Sequence, residues 1–432
     1  MAQYSYPVTN PFQARTVTEP DFDPDLFMDN LYVDFDKVRG EDFINDIYFT
    51  LNIDQDTRQL VDVTDEYVKI IFSGHRGCGK TTELKRLHND LNHPDRYFSV
   101  FLSIEEEMEI GSFQPEDFFV WFILKLIESV QQAGIPVGMS GLNDLAKLFF
   151  SDKTVEKELK ENFQTEVSLE TGGGFSLLDW IKFKMVAKGI FAGSNQTSTK
   201  IREEIKRNTL DIITKINFAL VDIREALKQN GKGRDILFIV DGSEKLKFEM
   251  YDYLFVQNSN LLKSLSVNLI AAVPIHAYYL IDRSPVNFTN QVIMPMIKLG
   301  DPDSQANRCF KEVISRRIDV DTFFDDGVLD ECVRCSGGCM RQLLIIVNGV
   351  IKKSLGKKAS LETAQLAIRE LGRKMYELLD SQHLEALQKP TRQLGDEKVR
   401  EMLFQLILLK YNGHTKLNPL LTPFVTIPHD GQ

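Results

Sequence analysis

With 432 residues, 43% of them hydrophobic and 26% charged, the chain is long enough for two or three domains and has the make-up of a globular protein, not of a disordered or fibrous one. A formal net charge of −11 disfavours a protein that coats nucleic acid by bulk electrostatics, while leaving room for a local basic groove. No apolar run approaches the roughly 20 residues a bilayer requires, and the polar start Met1-Ala2-Gln3-Tyr4-Ser5 has no h-region, so no membrane association and a cytoplasmic location are expected.

Residues 1–37 are rich in Pro, Asn and Asp with scattered aromatics (Tyr4, Tyr6, Phe12, Phe27), and read as an extended arm that wanders or packs across a neighbouring surface. A helical pattern follows from Val38 to Leu51, and Val68 to Phe72 reads as the first buried strand. That strand breaks into Gly74-His75-Arg76-Gly77-Cys78-Gly79-Lys80-Thr81-Thr82, which has the pattern G-x-x-x-x-G-K-[ST]. A loop that wraps a triphosphate must point backbone N–H groups inward and bring the main chain close to the oxygens, so glycine is required at its turns. The helix starting near Lys80 adds its positive end, Lys80 a charge for the β- and γ-phosphates, and Thr81 a hydroxyl for Mg²⁺.

Tyr97 to Ile104 reads as a second buried strand, so that strand, helix and strand open a parallel α/β sheet. Pro115 and the acids after it start an apolar helix that runs to about Val130. Residues 140–208 depart from this plan. Val167 to Thr171 and Trp180 to Met185 alternate with period two around Gly172-Gly173-Gly174 and suggest a small hairpin-like insertion, with Lys182, Lys184 and Lys188 on a solvated face. A long helix is expected from Thr199 to Lys228.

Asp235 to Val240 is a buried strand that ends in Asp241-Gly242-Ser243-Glu244. Asp241, at the carboxyl end of a strand, suits an aspartate that holds Mg²⁺ opposite Thr81, and Glu244 suits a base that polarises the attacking water. Strands near Val267–Val273 and Ile293–Leu299 bring the sheet to at least five. Beyond Asp301 the pattern is helical (Cys309–Ile318, Gly327–Cys335, Met340–Ile351, Leu361–Leu379), and the tail carries a helix from Glu397 and an extended end at Leu417 to Leu421. Five cysteines fit a reducing compartment. Cys332, Cys335 and Cys339 lack a downstream Cys/His cluster that would close a zinc site, so they are expected in the core or on helix faces.

Taken together, the phosphate loop, the acid-ending strand and Ser336-Gly337-Gly338-Cys339-Met340-Arg341 resemble a AAA+-related ATPase, within it the STAND-like and origin-recognition-like branch linked to bacterial anti-phage defence. The resemblance spans roughly Val38 to Lys353. It implies a parallel P-loop NTPase sheet with helices on both faces (38–300, with the insertion at about 140–208), an all-helical lid (301–385) and a short winged-helix-like tail (386–432). It implies ATP and Mg²⁺ as cofactors, with Gly74 to Thr82 and Arg341 binding nucleotide, Thr81 and Asp241 holding the metal, and Lys80, Asp241, Glu244, Arg283 and Arg341 serving catalysis. Arg341 would be the sensor-2 arginine reaching from the lid to the γ-phosphate, and Arg283 the finger for a neighbouring subunit, with Arg316 and Arg317 as competitors. Two departures imply slow hydrolysis, with nucleotide serving as a conformational switch: Ala271 and Ala272 stand where a polar sensor-1 residue is expected, and Gly242 stands where a second acid is expected. No nuclease, protease or deaminase constellation is visible. The expected role is therefore an oligomeric ATPase that senses or regulates and acts on a separate effector; the alternative is a DNA-binding initiator or transposition regulator.

Overall fold

A computed structural model describes residues 4–22, 24, 26, 29–39, 43–61, 66–107, 114–115, 117–138, 140–149, 180, 184, 196–281, 288–389 and 397–426. Its centre is a five-stranded sheet, β1 (Lys69–Gly74), β2 (Tyr97–Ser103), β3 (Asp235–Asp241), β4 (Asn268–Pro274) and β5 (Asn290–Met294), in the order β2-β3-β4-β1-β5. Each neighbouring pair is parallel, so this is an α/β fold.

Period-two alternation within strands buried on both sides explains the layering. Ile71, Val100, Phe238 and Leu269 face one apolar layer, and Ile70, Phe72, Ile239 and Ile270 face the other. The first layer is closed by the helices Asp117–Gln132 and Thr209–Gln229, whose Phe118, Phe122, Ile216 and Leu220 are buried. The second is closed by Phe43–Thr50 and by the helix Lys80–Leu91, through Ile47, Leu84 and Leu87.

The chain then leaves the sheet for a helical body of Gln305–Ser315, Val328–Ser336, Met340–Lys353 and Leu361–Tyr376. Phe310, Cys332, Val333, Leu343, Ile346 and Val350 form its core. Four of the five cysteines (Cys78, Cys332, Cys335, Cys339) are buried and Cys309 is half-buried; burial pushes the thiols of Cys335 and Cys339 up to about 11 and 12. A last unit, the helix Glu397–Phe404 followed by the antiparallel strands β6 (Leu408–Lys410) and β7 (Thr415–Leu417), has its own small core around Met402, Leu403 and Leu408.

Several expectations change. The N-terminal stretch is not extended throughout: Asn10 caps a helix, Pro11–Val17, that packs on the lid. The helix expected from Thr199 to Lys228 is two, Gln196–Arg207 and Thr209–Gln229, meeting at Asn208. Lys184 is not on a solvated face; it is buried between Glu107 (2.7 Å) and Glu128 (2.6 Å). Val167–Thr171, Lys182 and Lys188 lie outside the described residues. Among the described residues no helix is long and apolar enough to cross a membrane.

The turn between the lid helices Val328–Ser336 and Met340–Lys353 packs closely on the segment that follows β5. Gly338 has φ +76°, and a Cβ there would lie 1.8 Å from the carbonyl oxygen of Ile297. Gly327 has a similar φ of +82° with open space around it. Gly338→Ala should therefore cost about 2–3 kcal/mol in urea unfolding, from strain plus overpacking, and Gly327→Ala about 1 kcal/mol, from strain alone. Equal costs would show that the Ile297 contact yields freely.

Candidate nucleotide-binding site

Gly74 ends β1 in register with Pro274 and Met294, and the loop that follows turns at Gly77 (φ +77°) and Gly79 (φ +99°) into the helix from Lys80. No side chain caps that helix, so its first-turn N–H groups face outward, an arrangement suited to an anion. Lys80 departs from the expectation of an exposed lysine. It is 5% exposed, and its Nζ donates to Gly74 O (3.1 Å) and His75 O (3.0 Å), closing the loop on itself.

Asp241 ends β3 beside the loop. Burial and the charge of Glu244 hold its carboxylate above the usual carboxylate pKa, while the nearby Thr81 hydroxyl and Lys80 charge act the other way. Asp241 Oδ1 and Glu244 Oε2 are buried atoms without a hydrogen-bond partner among the described residues. Two oxygens of this kind beside a threonine hydroxyl are a donor set that a small hard cation fits. Magnesium characteristically takes one or two carboxylates and completes its shell with phosphate and water. Three or more His, Cys, Asp or Glu side chains do not gather into a metal cluster anywhere among the described residues, so an all-protein cage is not the design.

The lid meets the loop directly. Arg341 N donates to Gly77 O (3.1 Å), and a Cβ on Gly77 would lie 2.2 Å from Arg341 Cβ, so glycine is required for the approach as well as for the turn. The Arg341 guanidinium turns to the N-terminal arm, where Nη2 donates to Asp21 Oδ1 at 2.6 Å. Arg316 is held on Glu312 and on the carbonyls of Asn30 and Tyr32, and Arg317 is buried against Val313 O. Both guanidiniums are engaged within the chain, and Arg283 lies outside the described residues.

His75, the second residue of the loop, is fully buried. Its Nε2 accepts from Lys410 N (2.7 Å), which leaves Nδ1 to donate to Leu403 O (3.2 Å). Tyr411 Oη donates to Gly337 O (2.7 Å) and Asn412 Nδ2 to Arg39 O (3.0 Å), so the C-terminal unit clasps loop, lid turn and arm together. Sequence reasoning placed His75 in the loop without this role, because its partners are main-chain atoms more than 300 residues away.

Beside Thr81 and Thr82 opens a cavity of about 210 Å³. The arm walls it with Phe22, Pro24, Leu26, Leu31, Val33 and Phe35, and the lid with Phe310, Val313, Met340 and Leu344. Arg39, Glu83 and Arg317 supply its charged edge. A flat apolar ring fits such a place, next to a loop built for phosphate. Phe22 and Phe35, which line it, are not among the arm aromatics that the sequence picked out.

No protein-family model and no curated protein matches the chain. Among solved structures it is similar to the Orc1 protein of Aeropyrum pernix in complex with DNA, at 12% identity and a TM-score of 0.37, over 91% of this chain and 81% of that one. So distant a likeness leaves the site to be judged on its own geometry.

Burial pushes the pKa of His75 down to about 3 from its ordinary 6.5, with the charge of Lys80 adding to the effect. Between those values the unfolded chain binds one more proton than the folded one, so stability falls as pH drops through this window. The slope is about 1.4 kcal/mol per pH unit for this group. His88 and His276, held at about 4 by burial, act in the same direction. His75→Gln should flatten the dependence of unfolding free energy on pH by about 1.4 kcal/mol per unit between pH 4 and 6. An unchanged slope would mean that His75 titrates normally in the folded protein.

Proposed function

We propose that this protein binds and hydrolyses ATP with Mg²⁺, as an oligomeric AAA+-like P-loop ATPase whose nucleotide state switches its conformation. The observation that carries this reading is the pair of orphaned, buried carboxylate oxygens of Asp241 and Glu244, at the mouth of a glycine loop whose lysine is folded inward. A glycine-rich turn of structural origin would need neither the acids nor the lysine at that point.

Each residue has a task in this reading. Backbone N–H groups from Gly77 to Thr81 hold the phosphates, and Lys80 exchanges its two carbonyl partners for phosphate oxygens. Thr81 and Asp241 would hold Mg²⁺, which neutralises phosphate charge when bound. Glu244 orients the attacking water and takes its proton. Arg341, fixed on Gly77 through its backbone, brings a guanidinium to the terminal phosphate. The apolar cavity takes the base. Ala271 and Ala272 leave the carboxyl-terminal half of β4 without a polar side chain to help position the water, which favours slow turnover and a switch-like use of nucleotide.

A regulatory ATPase of anti-phage defence, acting on a separate effector, is the role the sequence resemblance favours. The alternative, a DNA-binding initiator, would read DNA with the tail, yet the Lys410 backbone and the Tyr411 and Asn412 side chains are committed to the nucleotide site.

Lys80→Ala should weaken ATP binding more than tenfold, since a charge-assisted hydrogen bond contributes about 1.5–3 kcal/mol. Because Lys80 also satisfies two carbonyls, the same variant should lose about 1–2 kcal/mol of stability. Glu244→Gln should keep ATP bound and slow its hydrolysis. Wild-type affinity in the first variant would remove the phosphate-loop assignment, and wild-type turnover in the second would remove Glu244 as the base.

If a neighbouring subunit completes the site, specific ATPase activity should rise with protein concentration. Arg283→Ala mixed with Lys80→Ala should then regain part of the activity, because each protomer supplies what the other lacks. Flat specific activity together with a monomeric mass in ATP would leave a switch that works in cis.

A further inference from the structure

Two described parts of the arm, residues 18–22 and 29–39, flank the cavity as a strap and each is tied down. At the lid end Asn348 Nδ2 donates to Arg15 O (2.6 Å) and Thr18 Oγ1 (3.0 Å), while Val8 pairs with the backbone of Arg317 and Asp319. At the other end Arg86 grips Asp36 through two hydrogen bonds (2.7 and 2.8 Å), and Arg39 lies 3.6 Å from Glu83. Among the described residues between these anchors, the lid arginine is met by the Asp21 carboxylate, with Arg341 Nη2 at 2.6 Å, and by Pro20 O, 3.5 Å from Nη1.

The Asp21 side chain is 84% exposed, so packing does not hold it there. Its surroundings are electrostatic. Arg341 holds its carboxyl below the usual carboxylate range, and the charges of Arg76 and Lys245 act in the same direction. Lys245 has its own partner in Glu105, and Arg76 belongs to the phosphate loop. The contact that fixes Asp21 is thus its ion pair with Arg341. The backbone of Arg341 is pinned by Gly77 O and by the contact at Gly77, so a change of partner is a swing of its guanidinium alone.

We propose that Asp21 competes with the terminal phosphate of a nucleoside triphosphate for the Arg341 guanidinium, so that release of the strap distinguishes a triphosphate from a diphosphate. The inference rests on the nucleotide reading above. A terminal phosphate carries more charge than a carboxylate and presents more acceptor oxygens to a guanidinium. A diphosphate ends one group short and leaves Arg341 with Asp21. An exposed ion pair contributes little, so the strap sets a bias of a few-fold that ligand reverses, not a lock.

The test uses the full chain and two probes, ADP and the non-hydrolysable analogue AMP-PNP, titrated by calorimetry. Asp21→Asn, which keeps the shape and removes the charge, should tighten AMP-PNP by about two- to fivefold and leave ADP unchanged. In an Arg341→Ala background the same substitution should change neither. Hydrogen exchange of amides 18–22 should be faster with AMP-PNP than with ADP in the wild type. Equal tightening of both nucleotides, or tightening that survives without Arg341, would reduce Asp21 to a general charge effect and overturn the competition. Binding of neither probe to the wild type would defeat the nucleotide reading itself, and that result is distinct from an unchanged ratio of two measurable affinities.

Discussion

The imidazole of His75 accepts one hydrogen bond and donates another, both to main-chain atoms of the C-terminal unit, in a site closed to water. Such a ring must stay neutral and in one tautomer, because a lost partner would leave a buried polar atom unsatisfied at a cost of about 1–3 kcal/mol. The first turn of the phosphate loop is thereby made rigid from behind, by a segment more than 300 residues away in the chain. The front face, where Lys80 and Thr81 stand, is left to respond to a ligand.

Around that loop the molecule sorts its chemistry by direction. The acids Asp241 and Glu244 stand at the end of β3, the cations Lys80, Arg76 and Arg341 along the loop and lid, and the apolar walls of the cavity beyond Thr82. A nucleotide has the same order of metal, phosphate and ring. Each part of the protein supplies one sector: the sheet the acids, the first helix its amide donors, the lid an arginine, the arm an apolar wall. Closing the site therefore means bringing three bodies together, and the contacts that do so are few and local. Among them are the His75 imidazole on Leu403 and Lys410, the Arg341 amide on Gly77 O, the Tyr411 hydroxyl on Gly337 O, the Asn412 amide on Arg39 O and the Asp21 carboxylate on Arg341.

The strap and the C-terminal unit both touch the loop without belonging to the sheet, so a change in what Arg341 or Lys80 holds is felt on two sides of the molecule. The turn at Gly338, between two lid helices, seats the lid on the segment after β5, since Ile297 O leaves no room for a side chain there.

Much of this was legible in the residues. Glycine at 74, 77 and 79 followed by Lys80 and Thr81 announces a phosphate loop because few other uses require that spacing, and runs such as Ile236 to Val240 announce buried parallel strands because both faces are apolar. Less legible were features whose partners are distant. Lys184 reads as surface lysine until Glu107 and Glu128 are found around it, and a helix pattern continuous through Asn208 conceals a break that only packing imposes. The sequence by itself determined the chemistry of the loop, the acid at the end of β3 and the parallel α/β plan, since all three follow from local spacing and strand periodicity. Only the tertiary structure decided that His75 is a latch, that Lys80 is folded inward, that the arm walls the cavity and that Asp21 meets Arg341. Those are contacts between segments far apart in the chain, where charge and shape find one another with no periodicity to mark them beforehand.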